Sequence, residues 1–203
     1  EGIAAAVRED NADLLIVGPH RRRALRDVFA GTTAERTIRA SNRPVLMANG
    51  IPAAPYRNVL VAVDLSECSA TAVRALQQLG LETSAAVSVI HVFDAPAAGL
   101  MVLASFTKDQ TKDYLADEEE RASGELATFL EECDLMPTRQ IMKYGESSTA
   151  LTICAAAHEI SADLIIVGTH GRTGIAKAFL GSVAEEVLRI SDRDVLAVPP
   201  GRD

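Results

Sequence analysis

The chain has 203 residues, a net charge of −8, 48% hydrophobic and 4% aromatic residues, no Trp and three Cys. That apolar fraction excludes a disordered chain, and the length allows one or two compact domains. The acidic balance argues against a general nucleic-acid binder, the scarcity of aromatics against a base-stacking platform, and no apolar run reaches the roughly 18 residues of a membrane span.

The first element is also the first clue to organisation. Ala12-Asp13-Leu14-Leu15-Ile16-Val17-Gly18-Pro19-His20 returns 150 positions later as Ala162-Asp163-Leu164-Ile165-Ile166-Val167-Gly168-Thr169-His170. The match runs without a gap, with 17 of 37 positions identical from Ala12 to Ala48. It extends weakly upstream, Ile3-Ala4-Ala5-Ala6 against Ile153-Cys154-Ala155-Ala156. The second occurrence has a long stretch before it and the first has none. We therefore expect one complete and one partial copy of a domain: residues 1–49, a linker at 50–56, and 57–200. The start at Glu1 rather than Met reads as truncation. Pro52-Ala53-Ala54-Pro55 suits an extended linker.

In the complete copy, Asn58–Asp64 is a β-branched run and hence a buried strand. Ser66–Leu81 has helical apolar spacing, with Ser66 as N-cap and Gly80 near the end. Ala86–Phe93 is a second buried strand, Ala95–Lys108 an apolar loop, and Gln110–Glu132 a long amphipathic helix. Thr138–Tyr144 is a more polar strand closed by Gly145. Ser147–Ile160 is helix, Asp163–Val167 strand, Ser182–Ile190 helix and Asp194–Val198 strand. Strict alternation predicts an α/β fold, a mostly parallel sheet with helices on both faces. Cys68, Cys133 and Cys154 show no CxxC spacing, which fits buried thiols in a reducing compartment.

Ligands of open parallel sheets bind beyond the carboxyl ends of strands. Two ends stand out. Asp64 closes the first strand of the complete copy. Val167-Gly168-Thr169-His170-Gly171-Arg172-Thr173-Gly174 closes a later one, followed by Gly181-Ser182 at a helix start. Glycines at 168, 171 and 174 permit positive φ and close backbone approach. A helix N-terminus favours an anion, Ser182 adds a hydroxyl, and Arg172 adds charge. This order suits a phosphate chain between a glycine turn and a helix start.

The same residues resemble the nucleotide-binding signature of the universal stress protein family. That signature is a glycine, two residues, a glycine, nine residues, then glycine with Ser or Thr. Gly168, Gly171, Gly181 and Ser182 fill its fixed places. Val61-Ala62-Val63-Asp64-Leu65-Ser66 resembles the family's first strand and His91-Val92 its second. The resemblance implies a Rossmann-like open five-stranded parallel sheet of the adenine nucleotide alpha hydrolase type, with first and fourth strands adjacent. It implies ATP, or ADP or AMP, as ligand. By position, Asp64 and the Val92 backbone meet adenine, with Ala62 and Val63 lining the same pocket. Gly168, after Val167, approaches ribose and phosphates. Gly171, Gly181, Ser182 and Val183 hold the triphosphate. Mg2+ is implied with the nucleotide, resting on phosphate oxygens, with no protein metal site. Ala184 stands where some relatives carry a hydroxyl.

The partial copy departs from the pattern. Gly18 and Gly31-Thr32 fit, but Arg21 replaces the second glycine and opens a basic cluster with Arg22, Arg23 and Arg26. We read that cluster as a solvated loop, because a first-strand Asp and an adenine wall are missing. His170 is suited by pKa to acid–base work, yet no nucleophile adjoins it, so a hydrogen-bonding role is expected. His91 reads as a satisfied core histidine, His158 as exposed, and Asp117–Glu120 as a solvated helix face with Glu118 near Arg121.

Pro44–Ala48 and Asp194–Val198 are equivalent edge strands. In the family such edges meet antiparallel, which implies domain pairing or a homodimer there. The resemblance as a whole implies a cytoplasmic, ATP-binding stress sensor or regulator. Slow ATP hydrolysis at the same loop and a non-enzymatic dimerisation scaffold are the competing readings.

Overall fold

A computed structural model describes residues 12–18, 33–50, 54–104, 106–145, 148–171 and 180–201. Within them run β1 (Leu15–Val17), α1 (Thr33–Ala40), β2 (Val45–Met47), β3 (Asn58–Val63) and α2 (Glu67–Gln78). There follow α3 (Leu81–Ser84), β4 (Ala86–Phe93), α4 (Pro96–Leu103), α5 (Lys108–Glu132) and β5 (Arg139–Tyr144). The chain closes with α6 (Thr149–Glu159), β6 (Leu164–Gly168), α7 (Ser182–Ile190) and β7 (Asp194–Val198). The strands form one seven-stranded sheet in the order β1-β2-β7-β6-β3-β4-β5. Every neighbouring pair is parallel except β2 with β7.

Strand pleating divides the core between two faces. On one face Leu60, Ile90, Ile165 and Ala197 pack against Ile153 and Ala157 of α6 and Val187 and Leu188 of α7. On the other, Val59, Val61, Val89 and Ile166 pack against Val73 and Leu76 of α2 and Leu126 and Phe129 of α5. The continuous β-branched runs follow from burial on both sides. Ser66 caps α2, its Oγ accepting from the Ser69 N–H at 3.3 Å. Thr107 and Gln110 form a capping box that starts α5 earlier than periodicity predicts.

One expectation fails. Ala95–Lys108 is not a loop but carries helix α4. Pro96 suits a first helical position, and Ala, Leu and Met are strong helix formers. No apolar stripe announced the helix, since Leu100 and Leu103 are exposed while Ala98 is buried.

The repeat has a geometric counterpart. Leu15 pairs with Val45 in β1·β2, and Ile165 with Val195 in β6·β7, each residue 150 positions after its equivalent. Ser41 Oγ accepts from the Arg43 N–H at 3.1 Å, as Ser191 Oγ does from the Arg193 N–H at 3.0 Å. Between β2 and β7, Leu46 faces Leu196. These are equivalent positions, so the antiparallel seam has pseudo-twofold symmetry. Both last strands are interior here. Ile38, Val45 and Met47 share one core with Val187, Leu188 and Val195, which supplies the burial a two-strand unit lacks by itself.

A carboxylate latches this seam to the following strand. Asp194 Oδ1 accepts from the N–H groups of Asn49 at 2.7 Å and Gly50 at 3.0 Å. Its Oδ2 accepts from the Tyr56 hydroxyl at 2.6 Å. Burial first, then the Asp194 hydrogen bond and charge, push the Tyr56 phenol well above its ordinary range. The native state thus keeps a proton that the unfolded chain releases near pH 10. Stability from this group is complete below about pH 10 and falls as pH rises beyond it. Urea unfolding at pH 9 and pH 11 should show a loss in the wild type that Tyr56→Phe reduces. An equal loss in both proteins would refute the latch.

Candidate functional site

Because β3 and β6 are adjacent and parallel, with Ala62 beside Val167, their ends open at one point. α2 leaves β3 toward one face and α7 follows β6 on the other, as the core packing shows. A cavity of about 260 Å³ lies there. Ala62, Val63, Asp64, Val92, Val167, Gly168, His170, Gly171, Gly181, Ser182 and Val183 all line it. Arg172 lies outside the described residues, as do Gly174, Gly31-Thr32 and Arg21–Arg23 with Arg26.

Asp64 is held rigidly. Its Oδ1 accepts from the Ser66 N–H at 3.1 Å, the Ser66 hydroxyl at 2.5 Å and the Ser69 hydroxyl at 2.6 Å. Leu65 between them adopts φ 63°, a left-handed conformation uncommon for a side chain of its size.

The glycines are required by space, which corrects the expected reason. Among the described residues Gly80 is the glycine with positive φ, and Gly168 and Gly171 are not in that region. A Cβ on Gly168 would stand 3.0 Å from Cys68 Sγ and 3.3 Å from Cys68 O. On Gly171 it would stand 3.0 Å from Asp64 Oδ2, and on Gly181 3.2 Å from Thr169 O. At Gly18, the position equivalent to Gly168 in the repeat, a Cβ would meet nothing within 4 Å among the described residues.

Buried Thr169 fixes the turn, its N–H donating to Val198 O at 2.8 Å and its carbonyl accepting from the Gly181 N–H at 2.7 Å. Its hydroxyl lies 2.9 Å from His170 Nδ1. His170 Nε2 is buried and has no hydrogen-bond partner among the described residues. At the start of α7 the N-cap is Gly181, which has no side chain with which to cap the helix. Ser182, Val183 and Ala184, whose N–H groups begin the helix, line the cavity. Donors and a positive helix end therefore face one space whose far wall is apolar.

Sequence reasoning missed Ser69, Ile90, Thr149 and Ile153 as lining residues, and assigned Ala184 no wall. Ile90 lies two residues before Val92, on the same face of β4, and Thr149 and Ile153 are one turn apart on α6. That spacing was the available signal. His91 is buried, and its Nδ1–H donates to Val63 O at 2.8 Å, so it supports β3. His158 is exposed, and Glu118 pairs with Arg121 on the surface of α5. Burial pushes up the Cys68 and Cys133 thiols, and lifts Cys154 to about 11, which keeps them protonated and unreactive at neutral pH. Among the described residues no helix is long and apolar enough to cross a membrane.

The sequence profile of the universal stress protein family matches residues 1–49 and 55–199. The chain belongs to the universal stress protein family. It is 30% identical over 144 residues to a universal stress protein of Methanocaldococcus jannaschii, spanning 70% of this chain and 82% of that one. Among solved structures it is similar to a universal stress protein from Archaeoglobus fulgidus, with TM-score 0.60 and 22% identity over 100% of this chain and 65% of the other. Universal stress protein UspA from Lactobacillus plantarum matches with TM-score 0.54 and 21% identity, over 71% of this chain and 99% of its own. These likenesses show the α/β fold with its mostly parallel, Rossmann-like sheet.

The packing of this universal stress protein makes a direct prediction. Gly168→Ala should destabilise it by about 1–3 kcal/mol through overpacking on α2. Adding Cys68→Ala should restore part of that, since the sulfur contact goes and the backbone contact stays. Urea unfolding of both variants measures this, and an unperturbed Gly168→Ala protein would contradict the packing.

Proposed function

We propose that this universal stress protein binds ATP, or ADP or AMP, in the cavity between β3 and β6, and acts as a cytoplasmic nucleotide-dependent sensor or regulator. The observation that carries the reading is the convergence of Asp64, the Gly168–Gly171 turn and the uncapped start of α7 on one cavity. The residues fit such a ligand. Cβ atoms at Gly171 and Gly181 would fill the cradle, and His170 Nε2 is a buried polar atom lacking a partner among the described residues.

In this reading Asp64 accepts a hydrogen bond from adenine and the Val92 backbone meets the same base. Ala62 and Val63 pack beside it. Gly168 allows the ribose to approach. Gly171, Gly181, Ser182 and Val183 bind phosphate oxygens through N–H groups and one hydroxyl, and His170 supplies a further contact. Arg172 adds a positive charge. Mg2+ accompanies the phosphates and neutralises part of their charge. Residues 1–49 are the closing part of one family domain and 57–200 a second domain. They are joined by 50–56 and paired through Pro44–Ala48 and Asp194–Val198. The same seam formed between chains would give a homodimer.

Titration calorimetry tests the site. The wild type should bind one ATP, and Gly171→Arg should weaken binding by about 100-fold or more, near 3 kcal/mol. The arginine would displace ligand and pair with Asp64 while the circular dichroism stays native. Unchanged affinity in Gly171→Arg would overturn the assignment. Mass spectrometry of nucleotide released on denaturation then identifies which adenine nucleotide the protein carries.

A further inference from the structure

One polar atom of the cavity wall has no task within the fold. His170 lines the cavity, and its Nε2 is buried with no hydrogen-bond partner among the described residues. Its other ring nitrogen is engaged, because Nδ1 lies 2.9 Å from the Thr169 hydroxyl. Buried polar atoms of native proteins are paired in the great majority of cases, and one that is not calls for an explanation.

The neighbouring hydroxyl decides what Nε2 carries. Thr169 is 3% exposed, and His170 Nδ1 is the one partner of its hydroxyl among the described residues. A hydroxyl has one proton to give, and a buried donor with no acceptor costs more than an unused lone pair. The Thr169 proton therefore goes to Nδ1, which accepts it through its lone pair. In the neutral ring the remaining proton then sits on Nε2. His91 is the opposite case, since its Nδ1–H donates to Val63 O. At His170 the fold presents an N–H with nothing to donate to.

The surroundings say what that donor meets. Thr169 O accepts from the Gly181 N–H at 2.7 Å, and a Cβ on Gly181 would stand 3.7 Å from His170 Cα. The turn that bears His170 is thus packed directly on the start of α7, where Ser182, Val183 and Ala184 line the cavity. A helix start favours negative charge, and an N–H beside it is strongest toward an anionic oxygen.

We propose that the Thr169 hydroxyl fixes His170 as its Nε2–H tautomer, and that this N–H donates to a phosphate oxygen of the bound nucleotide. Thr169 is then a positioning residue that acts through His170. The proposal rests on the nucleotide reading above and adds to it a reason for the site to favour a phosphorylated ligand over the bare nucleoside.

NMR of the imidazole nitrogens tests the tautomer in the wild type and needs no variant. His170 should show a protonated Nε2 and an unprotonated Nδ1, ATP should shift the Nε2 resonance, and adenosine should leave it in place. Thr169→Ser should keep this signature, and Thr169→Val should give a mixture of tautomers. Calorimetry with ATP and adenosine tests the donor. His170→Phe should weaken ATP by about tenfold, the effect of one charge-assisted hydrogen bond, and adenosine by less than about twofold. His170→Gln, whose amide N–H replaces the lost donor, should recover most of the ATP affinity. Thr169→Val should weaken ATP by about threefold alone and by less than about 1.5-fold in the His170→Phe background, because Thr169 acts through His170. A proton on Nδ1 in the wild type, equal weakening of ATP and adenosine by His170→Phe, or no recovery in His170→Gln would overturn the proposal and leave the nucleotide site standing. Absence of ATP binding by the wild type would overturn both.

Discussion

Every feature of the candidate site depends on β3 and β6 lying side by side and parallel. Val59–Ala62 pair with Leu164–Val167, and that register carries Asp64 and Gly168 past the same edge of the sheet. The pairing forms because both strands are buried on both faces, and continuous β-branched and Leu residues satisfy such a position. Right-handed crossovers then send the following helices to opposite faces. The cleft between them is a consequence of topology. Side chains enter later, to decide what it holds.

What they decide first is distance. Gly168 lets the end of β6 touch the first turn of α2 at Cys68, and Gly181 lets α7 begin against Thr169. With Cβ atoms there the two helices would move apart and the cradle would open. The first copy shows the contrast. Gly18 follows β1 at the equivalent position, and among the described residues nothing lies within 4 Å of where its Cβ would stand. What they decide next is direction. The serines of the β3–α2 turn aim one carboxylate, and Thr169 and His170 brace the turn opposite.

Much of this was legible in the sequence. Strands β3, β4, β6 and β7 and helix α7 announce themselves through β-branched runs and capping glycines, and the spacing from Gly168 to Ser182 marks the end of the cavity where α7 begins. The parts that were not legible share one physical character. α4 has no apolar stripe, so periodicity could not separate it from a loop. Ser69 resembles any polar residue in a first helical turn, and its bond to Asp64 depends on a left-handed leucine that composition does not signal. Asp194 differs from its repeat partner Pro44, so the Tyr56 latch follows no pattern within the chain. At Gly168 and Gly171 close packing, and not the expected positive φ, excludes a side chain.

The central proposal is that this chain binds one nucleotide, in the cavity between β3 and β6. Equilibrium dialysis of the whole chain against radiolabelled ATP with Mg2+ measures this directly. Saturation at one nucleotide per chain is the predicted result. Two nucleotides per chain, or none at millimolar ATP, would contradict it.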